Sequence, residues 1–444
     1  MVMTRENSAY WNPILETLPR ERLRALQVKK FKRIFEWAYT NSPFYKELYK
    51  DAGIEPGDLK TLDDIRKVPK IDKGMLRDVQ SRAPFPYGDI LAVPLAQVTE
   101  FRQTSGTTGT PVYQADTWQD WEWWAECWAY ILYAQGYRDT DRLFLPFGYN
   151  IFVAFWACHY GAEKVGCEVV PGGVLDTEAR IMKMKELHCT AFGATPTYGL
   201  GMADTARKIG IDPRGIGIQR ITCAGEPGAS IPTTKQRIEE AWGARVYDHI
   251  GATEIGAWSY SCTHQRGLHV NEAFFLVEIE DTETGEIIDE PGRNGKMIIT
   301  AFDRIGKPCI RFDSKDVIRW ANYSCECGRT FRIIDGGVVG RADDITKVKG
   351  VLLAPTAIEE VVRSFDELSN EYEVLVTKKG DIDEIALKIE IKPGLENERD
   401  SILARLKDEL RVKTNLGYKI EVHPYGSLPR YEVKAKRFKD ERKH

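Results

Sequence analysis

The chain has 444 residues, 43% hydrophobic and 29% charged, a globular composition at a length too great for one compact core. Lysine and arginine number 62 against 66 acidic residues, and the net charge of −4, spread along the chain, argues against nucleic acid as a partner. The first residues hold no apolar leader, and the most apolar region, 143–161, is broken by Pro146, Gly148 and Asn150; no membrane span is expected, and nine dispersed cysteines fit a reducing cytoplasm.

Residues 11–80 alternate helical patterns with turns at Ser42-Pro43, Glu55-Pro56 and Val68-Pro69. A β-like run over 93–101 then leads into Gln103-Thr104-Ser105-Gly106-Thr107-Thr108-Gly109-Thr110-Pro111. Five hydroxyl side chains and two glycines crowd residues 104–111. Glycine lets the backbone turn its N–H groups inward and the hydroxyls add donors, which suits the phosphates of a nucleotide. The loop lacks the Lys-Ser/Thr that ends a Walker A motif, so the cation balancing the phosphates must come from elsewhere. A flexible Ser/Thr/Gly linker is the competing reading, and the ordered patterns on both sides oppose it. Trp118, Trp121, Trp123, Trp124 and Trp128 follow in a helical segment over 117–137. Such a helix is core or subunit interface more often than a ligand box.

From 141 to 270 short apolar runs, Gly/Pro turns and helical stretches alternate. Runs at 143–146, 167–171, 191–193 and 220–225 read as strands, and 177–187 and 231–242 as helices, which predicts a parallel α/β sheet. Ligands gather at the loops leaving the carboxyl ends of such strands. Three loops stand out: Ala224-Gly225-Glu226-Pro227-Gly228; Tyr247-Asp248-His249-Ile250-Gly251-Ala252-Thr253-Glu254, after a strand at 244–246; and Ile310-Arg311-Phe312-Asp313-Ser314-Lys315-Asp316. Thr253 and Glu254 set a hydroxyl beside a carboxylate, as a phosphate and its Mg²⁺ require, and Asp316 offers a carboxylate to a ribose diol. Period-two alternation over 274–333 predicts antiparallel strands. The expected fold class is α/β: a large N-terminal domain, 1–340, with a parallel α/β sheet plus an antiparallel β region, then a small α+β C-terminal domain, 341–444.

The ordered series Thr104-Ser105-Gly106-Thr107-Thr108-Gly109, Ala224-Gly225-Glu226, Gly251-Ala252-Thr253-Glu254, Asp316 and Gly340-Arg341-Ala342-Asp343-Asp344 resembles the adenylate-forming superfamily of acyl-CoA synthetases. Ser42-Pro43-Phe44-Tyr45, His159-Tyr160-Gly161-Ala162-Glu163, Thr195-Pro196-Thr197-Tyr198 and the ending over 428–437 make the chain similar to the phenylacetate-CoA ligase group, over nearly its whole length. The resemblance implies an AMP-forming carboxylate–CoA ligase that uses ATP, Mg²⁺ and coenzyme A on a small carboxylic acid. It assigns Ser105, Gly106, Thr107, Thr108 and Gly109 to the ATP phosphates, and Gly225, Glu226 and Asp248 to the adenine. Thr253 and Glu254 go to phosphate and Mg²⁺, and Asp316 to the ribose. Arg341 would touch the nucleotide near Asp343, the hinge of a mobile C-terminal domain. Gly350 would border the pantetheine tunnel, and Lys434 would be the cation that the hydroxyl loop lacks. Two departures stand out. Ile250 occupies the usual place of an aromatic that packs on adenine, leaving that stacking absent or supplied by Tyr247. Val433 replaces the glycine before the lysine, and Lys436 competes with Lys434.

Phe147, Tyr149, Asn150, Ile151 and Trp156 match the segment that lines the acyl pocket in the group. Bulk at Phe155 and Trp156 shortens such a pocket and Asn150 offers a hydrogen bond. An aryl acid, phenylacetate or benzoate, and a short branched or hydroxylated acid such as 2-hydroxyisobutyrate both remain in view. A carrier protein is the alternative acyl acceptor. A nucleotide hydrolase or kinase is disfavoured by the missing loop lysine. Cys262, His269, Cys325 and Cys327 form a candidate structural Zn²⁺ site, with His264 competing for the place of His269 and plain buried thiols as the alternative. A homodimer is the expected oligomer.

Overall fold

The computed structural model describes residues 8–104, 110–342, 345–349, 351–379, 382–431 and 435–443. The chain divides into two compact units, Met1–Val174 with Tyr247–Gly337, and Leu175–Val246 with Val338–His444. The chain passes between the units after Val174, Val246 and Gly337, so that 175–246 groups with the C-terminal segment, where the sequence reading expects one boundary after residue 340.

In the first unit the helix Arg20–Asn41 turns Leu23, Phe31, Ile34, Phe35 and Ala38 inward, positions that helical periodicity brings to one face. The strand Ile71–Asp72 lies parallel to Cys309–Ile318, which pairs antiparallel with Gly295–Ala301, itself antiparallel to Phe275–Glu280. The helix Trp118–Ala134 opens on a capping box between Thr117 and Asp120 and is buried along nearly all its length. Its tryptophans are core, save Trp118, which is 56% exposed. The next helix, Val153–Val165, approaches it so closely that a Cβ on Gly161 would stand 2.3 Å from the Trp128 Cβ. Only glycine fits there, which accounts for the glycine after His159-Tyr160. This helix joins the parallel strands Arg142–Leu145 and Glu168–Pro171.

Two expectations are corrected in this unit. Residues 310–316, expected as a loop, lie within the strand Cys309–Ile318, whose pairing with Gly295–Ala301 takes up backbone groups that polar side chains make look like loop. Residues 247–252 were read as loop, yet the strand Arg245–Ala252 runs through them and pairs antiparallel with Gly256–Tyr260. That pairing, around a tight turn at Thr253 and Glu254, satisfies backbone groups whose polar side chains resembled a loop. His249 packs against Trp128 with ring centroids 4.4 Å apart, and burial holds its imidazole down to about 4, neutral at pH 7. Leu268–Val270 and then Ile333–Ile334 extend this antiparallel set.

In the second unit the apolar strands Ala191–Ala194 and Arg220–Cys223 pair in parallel, with the helices Thr177–Glu186, Pro196–Lys208 and Pro232–Trp242 before, between and after them. Its C-terminal part is a sheet in the order Lys419–His423, Ile382–Ile391, Leu368–Lys379, Phe438–Asp440. The helices Pro355–Ser364 and Arg399–Thr414 share its core through Ile358, Val362, Ile402, Leu406 and Leu410. Among the described residues no helix is long and apolar enough to cross a membrane.

Candidate active site

The hydroxyl loop connects two paired strands, Val98–Gln103 and Tyr113–Thr117. Ser105, Gly106, Thr107, Thr108 and Gly109 lie outside the described residues, but the base of their loop is closed. Thr104 N–H donates to Val112 O and Val112 N–H to Thr104 Oγ1, each at 3.0 Å. The helix Lys73–Gln80 holds the far side of the base. Arg77 Nε donates to Thr110 O at 2.9 Å, and Gln80 both donates to Pro111 O and accepts from Tyr113 N–H.

Behind the hairpin lies Arg304, 0% exposed, its guanidinium bonded twice to Asp116 at 2.8 and 2.9 Å. The remaining Nη1 donates to the carbonyls of Thr253 and Glu254 at 2.8 and 3.0 Å. One buried guanidinium therefore fixes the hairpin that ends in the hydroxyl loop and the turn that carries Thr253 and Glu254. The Glu254 carboxylate is 6% exposed, with Lys73 Nζ 2.8 Å from its Oε1. That contact is an ion pair outside hydrogen-bond alignment, so Oε1 still has acceptor capacity. Lys307 completes the cluster, its Nζ donating to Tyr113 O at 2.5 Å. Burial first, and then the nearby Arg304, bring the Lys307 ammonium down to about 7. Lys73, Asp116, Arg304 and Lys307 were not singled out in the sequence, where nothing local marks them.

Asp248 is 8% exposed on its strand, with Oδ1 accepting the His249 N–H at 2.9 Å. Tyr247, the alternative adenine platform, is only 2% exposed. Asp316 stands in the strand Cys309–Ile318, its N–H donating to Ser314 Oγ at 3.1 Å. Lys315 before it takes a left-handed φ of 66°.

In the second unit Gly225, at φ 93°, follows the strand Arg220–Cys223 and turns the chain into Glu226. The Glu226 carboxylate accepts from Thr197 N–H at 2.8 Å and from Ala435 N–H at 3.0 Å. Arg341 is half-buried in the short strand Gly340–Arg341. Asp343, Gly350 and Lys434 lie outside the described residues, and Lys436 is exposed.

The expected acid-pocket segment forms one cluster. Phe147 stacks on Phe155 with centroids 4.1 Å apart, and Tyr149 meets Trp156 edge-on at 4.9 Å. Tyr149 Oη lies 2.6 Å from His159 Nδ1, whose ring is held on its other side by Glu163 at 3.1 Å. Asn150 takes the Phe152 N–H on Oδ1 and the Trp156 indole N–H on its carbonyl. Ile151 O accepts from Gln103 N–H at 3.3 Å, which sets this segment beside the entrance to the hydroxyl loop. Arg102 lies between the Trp121 and Trp156 rings, 5.0 and 5.1 Å from their centroids.

Ligand atoms of Cys262, His269, Cys325 and Cys327 all lie within 4.8 Å of one another. Cys262 Sγ is 3.6 Å from Cys325 Sγ, and Cys327 Sγ is 3.4 Å from His269 Nε2. The edges of a zinc tetrahedron with thiolate ligands are roughly 3.8 Å long, so the donor set fits that ion. A hydrogen bond from Cys262 holds the Cys327 thiol far below the usual thiol range, toward the thiolate that a metal binds.

Residues 350–442 match the family model of the AMP-binding enzyme C-terminal domain. The phenylacetate-coenzyme A ligase of Thermus thermophilus is 32% identical, over 98% of this chain and 100% of the relative. That of Pseudomonas putida is 29% identical, over 96% of each chain. A crystal structure of 2-hydroxyisobutyryl-CoA ligase in the postadenylation state superposes with a TM-score of 0.94 at 26% identity, covering 99% of this chain and 94% of the other.

Proposed function

This chain belongs to the phenylacetate-coenzyme A ligase family, and from that membership we infer that it is an AMP-forming acid–coenzyme A ligase. The observation that carries this is end-to-end kinship at 32% identity. A carboxylate oxygen of the acid attacks the α-phosphorus of ATP, the bond to the β-phosphate breaks, and pyrophosphate leaves. The sulfur of coenzyme A then attacks the acyl carbon of the adenylate, and AMP leaves as the thioester forms. Coenzyme A, rather than a carrier protein, is the acceptor.

The roles of individual residues are part of the proposal. The hydroxyl loop, Ser105 to Gly109, takes the phosphates, with Lys434 supplying the positive charge that the loop lacks. Thr253 and Glu254 hold the Mg²⁺, for which the buried Oε1 of Glu254, with acceptor capacity to spare, is a fitting ligand. When bound there, Mg²⁺ would supply positive charge against the phosphates. Arg304 and Asp116 keep that carboxylate and the loop hairpin in one register. Asp316 takes the ribose, Arg341 reaches the nucleotide, Gly350 borders the thiol path, and Asp343 is the hinge of a domain beginning at 341. A structural Zn²⁺ on Cys262, His269, Cys325 and Cys327 staples three segments of the first unit.

The acid is an aryl acid of the phenylacetate or benzoate kind, or a short branched or hydroxylated one such as 2-hydroxyisobutyrate. The Phe147–Phe155 stack supports a flat or short acyl group, and Tyr149, held by His159, offers an oxygen to a polar one. We place the enzyme in the cytoplasm, as a homodimer. A panel of acids assayed for AMP and pyrophosphate release, with and without coenzyme A, tests the reading and selects the acid.

A further inference from the structure

We propose that a cavity of the first unit binds a small organic anion through a carboxylate or phosphate group. The cavity encloses about 310 Å³, at the small end of ligand cavities, which hold roughly 300–1,000 Å³. That volume suits a metabolite of a few carbons rather than coenzyme A. None of its lining residues belongs to the hydroxyl loop, to the turn of Thr253 and Glu254, or to the cluster around Arg304.

The strand Phe275–Glu280 gives the cavity its apolar side, through Leu276, Val277 and Ile279. The helix Arg20–Asn41 gives it Arg20, Arg24 and Gln27, whose i, i+4, i+7 spacing sets them on one face. Arg66 and Arg332 bring the guanidiniums to four. Arg20 is taken up by Glu272, to which both its Nη atoms donate. Arg66 pairs with Asp63 and Asp289, each at 3.1 Å, and Asp289 also accepts from Arg332 at 3.1 Å. The other acid of the wall, Glu278, is held by Arg311 through both oxygens, at 3.0 and 3.1 Å. Four guanidiniums thus share three carboxylates, Asp63, Glu272 and Asp289. Arg24, exposed, has no partner among the described residues.

A neutral donor adds to that excess. Trp320 lines the same cavity, 2% exposed, with the Arg332 guanidinium 3.6 Å from its ring centroid. Its indole N–H is buried and donates to nothing among the described residues. A buried donor left unpaired is costly, and a ligand oxygen removes that cost. The spare guanidinium and the orphan N–H call for the same partner, an acceptor oxygen bearing negative charge. Carboxylate and phosphate oxygens meet both needs, and they match the planar fork of arginine. A metal cation would meet the excess positive charge, and an apolar molecule would leave both donors unpaired.

The test is calorimetric titration of the full-length protein with succinate and with glycerol 3-phosphate, in the wild type, R24A and W320F. At least one of the two should bind the wild type with a Kd of about 1 mM or lower. The tighter of them decides between carboxylate and phosphate as the recognised group. R24A should weaken that binding about tenfold or more, and W320F, which keeps a ring but loses the N–H, about fivefold. Without anion, R24A should melt at the wild-type temperature, because the side chain is exposed and unpartnered. Failure of both anions to bind at up to about 10 mM overturns the proposal. So does binding that either variant leaves unchanged, since the anion then sits elsewhere on the protein.

Discussion

The Glu254 carboxylate and the Lys73 ammonium, from distant parts of the chain, meet at 2.8 Å, with the carboxylate 6% exposed. A carboxylate so buried needs a compensating charge, and the lysine at the start of the Lys73–Gln80 helix supplies it. The same helix props the base of the hydroxyl loop through Arg77 and Gln80. Loop and carboxylate are therefore held by one element.

Replacing Lys73 by methionine leaves the Glu254 carboxylate, 6% exposed, without its compensating charge and should lower stability by roughly 1–3 kcal/mol. Per folded molecule, pyrophosphate release should fall by about tenfold, and in Glu254→Gln by about a hundredfold or more. Thermal melts and a pyrophosphate-release assay on the two variants check this. Unchanged release in Lys73→Met would remove the lysine from the site.

Arg304→Met leaves the Asp116 carboxylate, 0% exposed, without its partner and frees the Thr253–Glu254 turn. Burial already pushes Asp116 above the usual carboxylate value against the pull of Arg304. Unfolding by denaturant should show a loss of about 3–5 kcal/mol, the usual result of orphaning one member of a buried pair. The double variant Asp116→Leu with Arg304→Met should recover part of that stability without recovering activity. A loss below about 1 kcal/mol in the single variant would mean that Asp116 finds water or another partner.

Much of this was legible in the chain. The strands Ala191–Ala194 and Arg220–Cys223 stand where unbroken apolar runs were read, because a parallel strand buried on both faces needs such a run. Residues 247–252 were not legible as strand. Asp248, His249 and Gly251 have loop-like chemistry, and only pairing with Gly256–Tyr260 and burial against Trp128 make them extended. Lys73, Asp116 and Arg304 left no trace at all, since ion pairs between distant residues have neither period nor motif. The cysteine cluster was visible as spacing, and the geometry places His269 in it.

Lys307 gives a pH signature. Its ammonium is held at about 7 in the fold against 10.5 for the ordinary group, so between these values the unfolded chain binds more protons than the native one. Stability from this residue therefore rises with pH across that window, by at most about 1.36 kcal/mol per pH unit. Lys307→Met should flatten the rise, so that its stability relative to the wild type declines from pH 7 toward pH 10. Parallel denaturation curves at several pH values read this out. A constant difference would mean that Lys307 stays charged throughout.

Protein purified without added metal should carry about one equivalent of zinc by elemental analysis, and Cys325→Ser should lower both zinc content and melting temperature more than turnover per folded molecule. Less than about a tenth of an equivalent in the wild type would leave Cys262, His269, Cys325 and Cys327 as a metal-free cluster.

The most direct measurement is the identity of the nucleotide product. With ATP, Mg²⁺, coenzyme A and phenylacetate, benzoate or 2-hydroxyisobutyrate, chromatography should show AMP and pyrophosphate in equal amounts, with one acyl-CoA thioester for each AMP. Release of ADP and phosphate in their place, with any acid that the enzyme turns over, would contradict an AMP-forming ligase.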